Sequence, residues 1–424
     1  MAHKSKEFFK TKVYYGEYTL RHWLDLMLSR NITLPKYQRH FVWEESDVIR
    51  LVESLKSGQF VMPVTIAHYK ESGEKKNLIL DGQQRLTSIL LAYLGFMPIK
   101  DKFKPTEEDL AIGDDSREEP LSSAMEWTYI FLLESRQADN TTIKIQDRLR
   151  TNEKYSKLTV NFDEDIEVFY NNTYLGFSFI MPDSDDLNAT QKYFTTLFRH
   201  MNYFGKKLSP LESRRSLYYM NIEYKDYFDG KLEKDEDVLC GIRLLESMSP
   251  RKIDFVRYLA MLSQFVSGEN EKRVMVGYSA YSSRESYYAD YVSYLVNVEQ
   301  DDRKDKFDSF KMDTIFPHNE WKQRFKEVKA FLERNKKQLG LDMKYNAFTS
   351  WIDADYWLFG LLYYVVFKGK KLSKEDKLIA ELKKEILAKR SLPKDDDYAK
   401  NPNRLGNLRD RMRLSIDIYG TYAE

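Results

Sequence analysis

The chain has 424 residues, with 67 Lys and Arg against 66 Asp and Glu and a formal net charge of +1. At roughly 150 residues per domain it predicts two or three domains, and its near-neutral total excludes a nucleic-acid coat, a polybasic membrane binder and an acidic tail protein. Hydrophobic residues make up 42% and aromatics 14%, with 17 Gly and 11 Pro, which excludes a disordered chain.

A single cysteine, Cys240, excludes a disulfide framework and any cysteine-based zinc site, and predicts a reducing compartment. The first residues, Met1 to Glu7, carry charges with no apolar stretch behind them, so no signal peptide is expected. The longest apolar run lies around Trp357 to Phe367, whereas a membrane span needs about 20 residues. A cytoplasmic protein with no membrane partner is expected.

In chain order, Val13 to Tyr18 reads as a strand, and Leu20, Trp23, Leu24, Met27 and Leu28 repeat at helical spacing. Extended residues Ile32 to Pro35 lead into a loop through Tyr37–Trp43. Val48, Leu51, Val52 and Leu55 predict a second amphipathic helix closed by Gly58. Val64–Tyr69 and Asn77–Leu80 predict two strands, followed at once by Asp81-Gly82-Gln83-Gln84-Arg85 and a helix through Leu86, Ile89, Leu90 and Tyr93. Residues 101–124 read as an irregular, acidic, solvated loop. Trp127–Phe131 and Tyr174–Met181 predict further strands, Gln191–His200 a helix, and Leu208–Glu212 a capped helix start. From about residue 236 the pattern is helical: Ile253, Val256, Arg257, Ala260, Met261, Gln264 and Phe265 follow a 3.6 period, as do Trp321, Phe325, Val328 and Leu332. Trp351 to Phe367 is apolar almost all round and predicts a buried central helix. The expected fold class is α+β, with an α/β domain over 1–235 and a mostly α-helical domain over 236–424.

Three segments can carry chemistry. In Asp81–Arg85, at a strand-to-helix junction, free backbone N–H groups attract anions and Gly82 lets a phosphate approach the backbone. Arg85 can fork onto phosphate oxygens, while Gln83 and Gln84 can orient a water or hydrogen-bond a sugar or base. The competing reading makes Asp81 an N-cap, with Gln84 completing a capping box. In the second segment, Pro35-Lys36-Tyr37-Gln38-Arg39 followed by Phe41 and Trp43, a basic residue among aromatics suits a nucleotide face. Alternatively Phe41–Trp43 form a hydrophobic plug and Arg39 caps a neighbour. In the third, Phe198 to Arg214, the residues Arg199, Asn202 and Lys206 or Lys207 can face a polyphosphate, and Glu212 can bind Mg²⁺ or pair with an Arg such as Arg214.

Together these segments, Pro35–Trp43, Asp81–Arg85 and Phe198–Arg214, resemble the N-terminal domain of GmrSD-type restriction proteins, a ParB/sulfiredoxin-like fold. The resemblance covers about residues 14–235. It implies binding and hydrolysis of a nucleoside triphosphate with Mg²⁺, used to license attack on foreign, usually modified, phage DNA. On that reading Asp81, Gln83, Gln84 and Arg85 form the hydrolysis motif, and Tyr37, Gln38, Arg39, Gly82, Arg199, Asn202, Glu212 and Arg214 hold the nucleotide. Cys240 lies outside the matched segment, so the cysteine chemistry of the sulfiredoxin branch is not expected. Complete systems add a C-terminal His-Asn-His nuclease. Here the C-terminal part has one His, His318, in Phe316-Pro317-His318-Asn319-Glu320, without the strand–loop–helix pattern such a metal site needs. An intact nuclease in this chain is therefore not expected, and a separate nuclease or effector subunit is. The alternative reading is a non-catalytic nucleotide- or DNA-responsive adaptor, and either form can be a homo-oligomer.

Arg404 to Arg413 holds four Arg against one Asp. Arg404, Arg409 and Arg413 can form a strip that contacts DNA phosphates without reading bases. Alternatively, these arginines pair with Asp395, Asp396 and Asp397.

Overall fold

The computed structural model describes residues 11–424 apart from 36, 72–73, 104–111, 114–124, 184–185, 204–209, 233–235, 238–241, 246–250, 269, 281–282, 297–314 and 343. Most of the acidic loop, Lys206, Lys207 and Cys240 thus lie outside the described residues. The chain divides into two compact units, Met1–Glu108 with Leu121–Met220, and Asp109–Pro120 with Asn221–Glu424. The fold class is mixed α and β with a helical C-terminal region, as expected.

In the first unit, the strand β1 (Thr11–Thr19) runs straight into α1 (Leu20–Leu28). The Thr19 hydroxyl accepts from the His22 N–H at this junction, a side-chain cap. Helix α2 (Glu45–Lys56) starts with a reciprocal capping box between Glu44 and Asp47 and ends before Gly58, whose φ of +62° lets the chain turn away. The hairpin β2 (Val64–Glu71) and β3 (Glu74–Asp81) then delivers the chain to α3 (Gln83–Leu94). Helices α4 (Thr142–Arg150) and α5 (Ile166–Asn172) precede strand β4 (Tyr174–Pro182), and α6 (Leu187–Tyr203) and α7 (Pro210–Tyr218) close the unit.

The four strands form one mixed sheet in the order β1-β4-β2-β3. β1 lies antiparallel to β4 from Thr11 opposite Pro182 to Thr19 opposite Tyr174, and β2 lies parallel to β4 from Val64 opposite Phe177. Alternation along the strands sorts the side chains onto two faces. Val64, Ile66 and Ile79 join α1, α2 and α3 in the main core, around Trp23, Leu24, Leu86 and Leu90. Ala67, Leu78, Leu80 and Ile180 meet Phe194 of α6 on the other face. The sheet is therefore covered on both sides, and α3 is buried along most of its length.

One expectation fails here. Trp127–Phe131 does not form a strand; Tyr129–Leu132 makes a 3₁₀ turn. Trp127 and Tyr129 are fully buried, with the Trp127 indole donating to the Tyr155 hydroxyl at 3.0 Å and the Tyr129 hydroxyl to Ile32 O at 3.0 Å. Aromatic packing, not a ladder, organises this stretch.

The second unit holds α8 (Ile222–Asp229), α9 (Phe255–Gly268), α10 (Arg284–Leu295), α11 (Trp321–Asn335), α12 (Trp351–Leu361), α13 (Glu375–Arg390) and α14 (Leu405–Gly420). The run expected to be one central helix is α12, continued as a π-helical turn over Leu362–Phe367, and it is buried. The helical pattern is not continuous from residue 236. Short strands at Arg243–Leu244 and Arg251–Ile253 pair with Ala347–Phe348 and Ile112–Gly113 in a small sheet.

Candidate functional site

The second and third sequence segments meet the Asp81–Arg85 turn within the first unit. β3 ends at Asp81, and Gly82 takes φ +94° and ψ 6° as the N-cap of α3, with no side-chain cap. A left-handed backbone at that point is what glycine supplies at little cost. A Cβ on Gly82 would stand 3.0 Å from Val64 Cγ2 and 3.2 Å from Val64 Cα, so β2 would have to give way to any other residue there.

The capping-box reading of Asp81 and Gln84 is corrected by this geometry. The Asp81 carboxylate accepts from Arg85 Nη2 at 2.6 Å, one turn further on. Gln84 is turned inward. Its Oε1 accepts the Val42 N–H at 2.9 Å, and its Nε2 donates to His40 O at 3.0 Å and to Gln83 Oε1 at 2.9 Å. Gln84 thus ties the 37–43 loop to the helix start. Gln38 does the same from the other side, its Nε2 donating to Ile79 O at 3.1 Å. The loop is fixed to the strand end and the helix start by side-chain amides, which leaves Arg39 beside the turn.

Arg39 is the electrostatic centre of the site. Burial lowers its pKa, while the carboxylates of Glu212 and Asp81 oppose that shift. One guanidinium therefore feels acids from two of the three segments and sits on the third. Tyr37 completes the junction, its ring 5.0 Å from Phe198 and 5.5 Å from Tyr219. Phe41 is fully buried against Trp127 at 5.8 Å, which meets the plug reading for that residue.

Two buried polar atoms stand out in this frame. Gln83 is 4% exposed, and its Nε2 has no hydrogen-bond partner among the described residues, as is true of Arg85 Nε. A buried donor left without an acceptor costs free energy, and both lie on the first turn of α3, whose N–H groups have no side-chain cap. Arg85 Nη2 also donates to Pro63 O at 3.2 Å, a partner no sequence pattern marks, because it is a backbone carbonyl. Arg214, by contrast, is 1% exposed and donates to the Tyr218 hydroxyl at 2.9 Å, inside the packing of α7. The side chains of Arg199 and Asn202 lie outside the described residues.

The carboxylates that could contribute to a metal here are Asp81 and Glu212, the two that act on Arg39; Mg²⁺ takes one or two protein carboxylates and keeps its other positions for water and phosphate. No group of three His, Cys, Asp or Glu side chains comes together among the described residues.

In the second unit, Arg404 pairs with Asp397 at 3.2 Å, and Arg413 with Asp417 at 3.5 Å. Arg409 is half-buried and donates through Nε to Val274 O at 2.9 Å. Arg411 is wholly buried. Arg404 at one end is exposed, Arg413 at the other is half-buried, and the middle of the strip is engaged with the fold. His318 packs edge-on to Phe316 at 4.7 Å.

Comparison with known proteins bears on the first unit. Residues 22–219 match the family model described as the GmrSD restriction endonuclease, N-terminal domain. Over 96 residues the chain is 33% identical to an uncharacterised protein of Methanocaldococcus jannaschii, a match covering 18% of this chain and 17% of that one. The chain thus matches less than a fifth of that relative's length. No solved structure matches it. No helix among the described residues is long and apolar enough to cross a membrane.

Proposed function

We propose, from the premise that residues 22–219 form a GmrSD-type N-terminal domain, that this chain is the nucleotide-binding, NTP-hydrolysing sensor subunit of a restriction-like, anti-phage system acting on DNA. The observation that carries the reading is that the carboxylates of both Asp81 and Glu212 act on the half-buried Arg39, beside the uncapped start of α3. A triphosphate brings about four negative charges, more than a helix end and one Arg would neutralise. Arg39 and Arg85 supply two cations from separate segments, and the first turn of α3 supplies backbone N–H groups. With Mg²⁺ shared between the phosphates and Asp81 or Glu212, ligand charge would be balanced on both sides. The ParB/sulfiredoxin-like architecture belongs to the same proposal, as do a separate nuclease or effector partner and DNA contact through Arg404 and Arg413.

One observation favours a second reading, nucleotide binding without turnover. Gln84 spends both of its amide N–H groups on His40 and Gln83, and its Oε1 already accepts from Val42, so it is held to the loop and Gln83 is the freer of the two to orient an attacking water. Phosphate release from each ribonucleoside triphosphate with Mg²⁺, set beside direct binding, decides between them. Release that Arg85→Ala abolishes supports the enzyme. Tight binding with no release supports the adaptor, and neither binding nor release rejects both.

A further inference from the structure

The segment Gly58–Pro63 joins α2 to β2 with no regular structure, and it presents two large apolar side chains to solvent. Phe60 is 82% exposed and Met62 60%, whereas Val61 between them packs on the core of the unit. This alternation is that of an extended chain with one face turned in. Single exposed hydrophobics are ordinary, but neighbouring ones on a short segment mark contact surfaces. The segment is held in place. Gly58 breaks α2, and the Gln59 N–H donates to Ser54 O at 2.9 Å.

Its far end belongs to the candidate site. Pro63 O accepts from Arg85, and Val64 stands against Gly82. Three residues span at most about 10 Å of chain, so Phe60 and Met62 lie within a nucleotide's length of the Arg85 guanidinium. The cationic groups of the site, Arg39 and Arg85, suit phosphates, and Phe60 and Met62 add what a nucleobase needs, a π-face and a soft, adaptable thioether.

We infer that Gly58–Pro63 is the base-binding shelf of the nucleotide site, with Phe60 and Met62 stacking on the nucleobase while the phosphates lie on the Gly82–Arg85 turn. The inference rests on the reading of that turn as a phosphate site. Stacking accepts any base, because every base has a π-face, so the shelf confers affinity for nucleotides over bare polyphosphate and only weak preference among bases.

Calorimetric titration of the full chain tests this, using each ribonucleoside triphosphate and inorganic tripolyphosphate, all with Mg²⁺. The wild type should bind at least one nucleotide about tenfold or more tighter than tripolyphosphate. Phe60→Ala with Met62→Ala should remove that advantage, a loss of about tenfold or more, and leave tripolyphosphate binding unchanged. Both side chains are exposed, so the melting temperature should stay constant, and Phe60→Trp should preserve affinity. Nucleotide affinity unchanged in the double variant overturns the shelf while leaving the phosphate site standing. A wild type that binds tripolyphosphate as tightly as nucleotides does the same. A wild type that binds neither ligand rejects the phosphate reading itself and the shelf with it. A single-stranded oligonucleotide that binds through Phe60 when free nucleotides do not also overturns the proposal, in favour of a nucleic-acid contact.

Discussion

At the scale of single residues, Arg85 and Gln84 are neighbours with opposite duties. Arg85 is 17% exposed and bonded to Asp81, which is 37% exposed, so its ion pair is partly in water and contributes little to stability. Its value lies in a guanidinium poised beside the helix end. Arg85→Ala should remove a charge-assisted contact to phosphate of roughly 1.5–3 kcal/mol, lowering nucleotide affinity and hydrolysis at least tenfold with the melting temperature nearly constant. Asp81→Asn acts the other way in the absence of metal. With one carboxylate fewer facing Arg39 and Arg85, metal-free tripolyphosphate should bind more tightly, and Mg²⁺ should no longer enhance binding. Titrations with and without Mg²⁺ would show this, and an undiminished Mg²⁺ effect would remove Asp81 from the ion's ligands. Gln84→Ala should do the reverse of Arg85→Ala. It leaves the half-buried Val42 N–H and His40 carbonyl without their partner, a loss toward the low end of about 1–3 kcal/mol each, and should lower the melting temperature first.

At the scale of elements, the strands and helices around the site were legible because their apolar residues repeat at 2 or 3.6. The junction after Leu80 was legible as well, since a strand pattern stops and a helix pattern starts within three residues. Spacing could not say where the amide of Gln84 goes. A capping box and a tie to a loop more than 40 residues back place Gln at the same position, and the deciding contact is long-range. Trp127–Phe131 misled for a related reason: alternation marks burial, and a strand needs in addition a neighbour to pair with. Gly82 shows which of its properties the element needs. With φ at +94° and Val64 Cγ2 3.0 Å from any added Cβ, Gly82→Ala must strain the backbone and displace β2. The cost should be about 1–3 kcal/mol, visible as a lower melting temperature in calorimetry. The first turn of α3 should move with it, so nucleotide affinity should fall too. A variant that melts like the wild type would show that the turn tolerates another conformation.

At the scale of the whole molecule, the near-neutral charge conceals charges that never reach water. The run Trp351 to Phe367 predicts a buried central helix, and its Asp355 is fully buried with it, paired with Arg257 and Arg411. Arg257 donates to both its oxygens, at 2.5 and 3.1 Å, Arg411 Nε donates at 2.8 Å, and the Tyr258 hydroxyl donates at 3.0 Å. The Arg257 guanidinium also lies 4.5 Å from the Trp351 ring, a face that favours a cation. One carboxylate thus joins α9, α12 and α14 of the second unit. Burial alone would raise its pKa, but the two guanidiniums prevail and hold it below the ordinary carboxylate value. The folded state therefore binds this proton less readily than the unfolded chain, whose Asp titrates near 3.9. The stabilisation is fully present above that pH and is lost as pH falls through the lower folded value. Asp355→Ala leaves two buried guanidiniums without their anion and should cost about 3–5 kcal/mol at pH 7. Denaturant unfolding followed by tryptophan fluorescence should show that gap narrowing as pH drops below the ordinary carboxylate value and toward the lower folded one. A gap that stays constant across this range would mean that Asp355 contributes by shape and hydrogen bonding, with its charge immaterial to the cohesion of the unit.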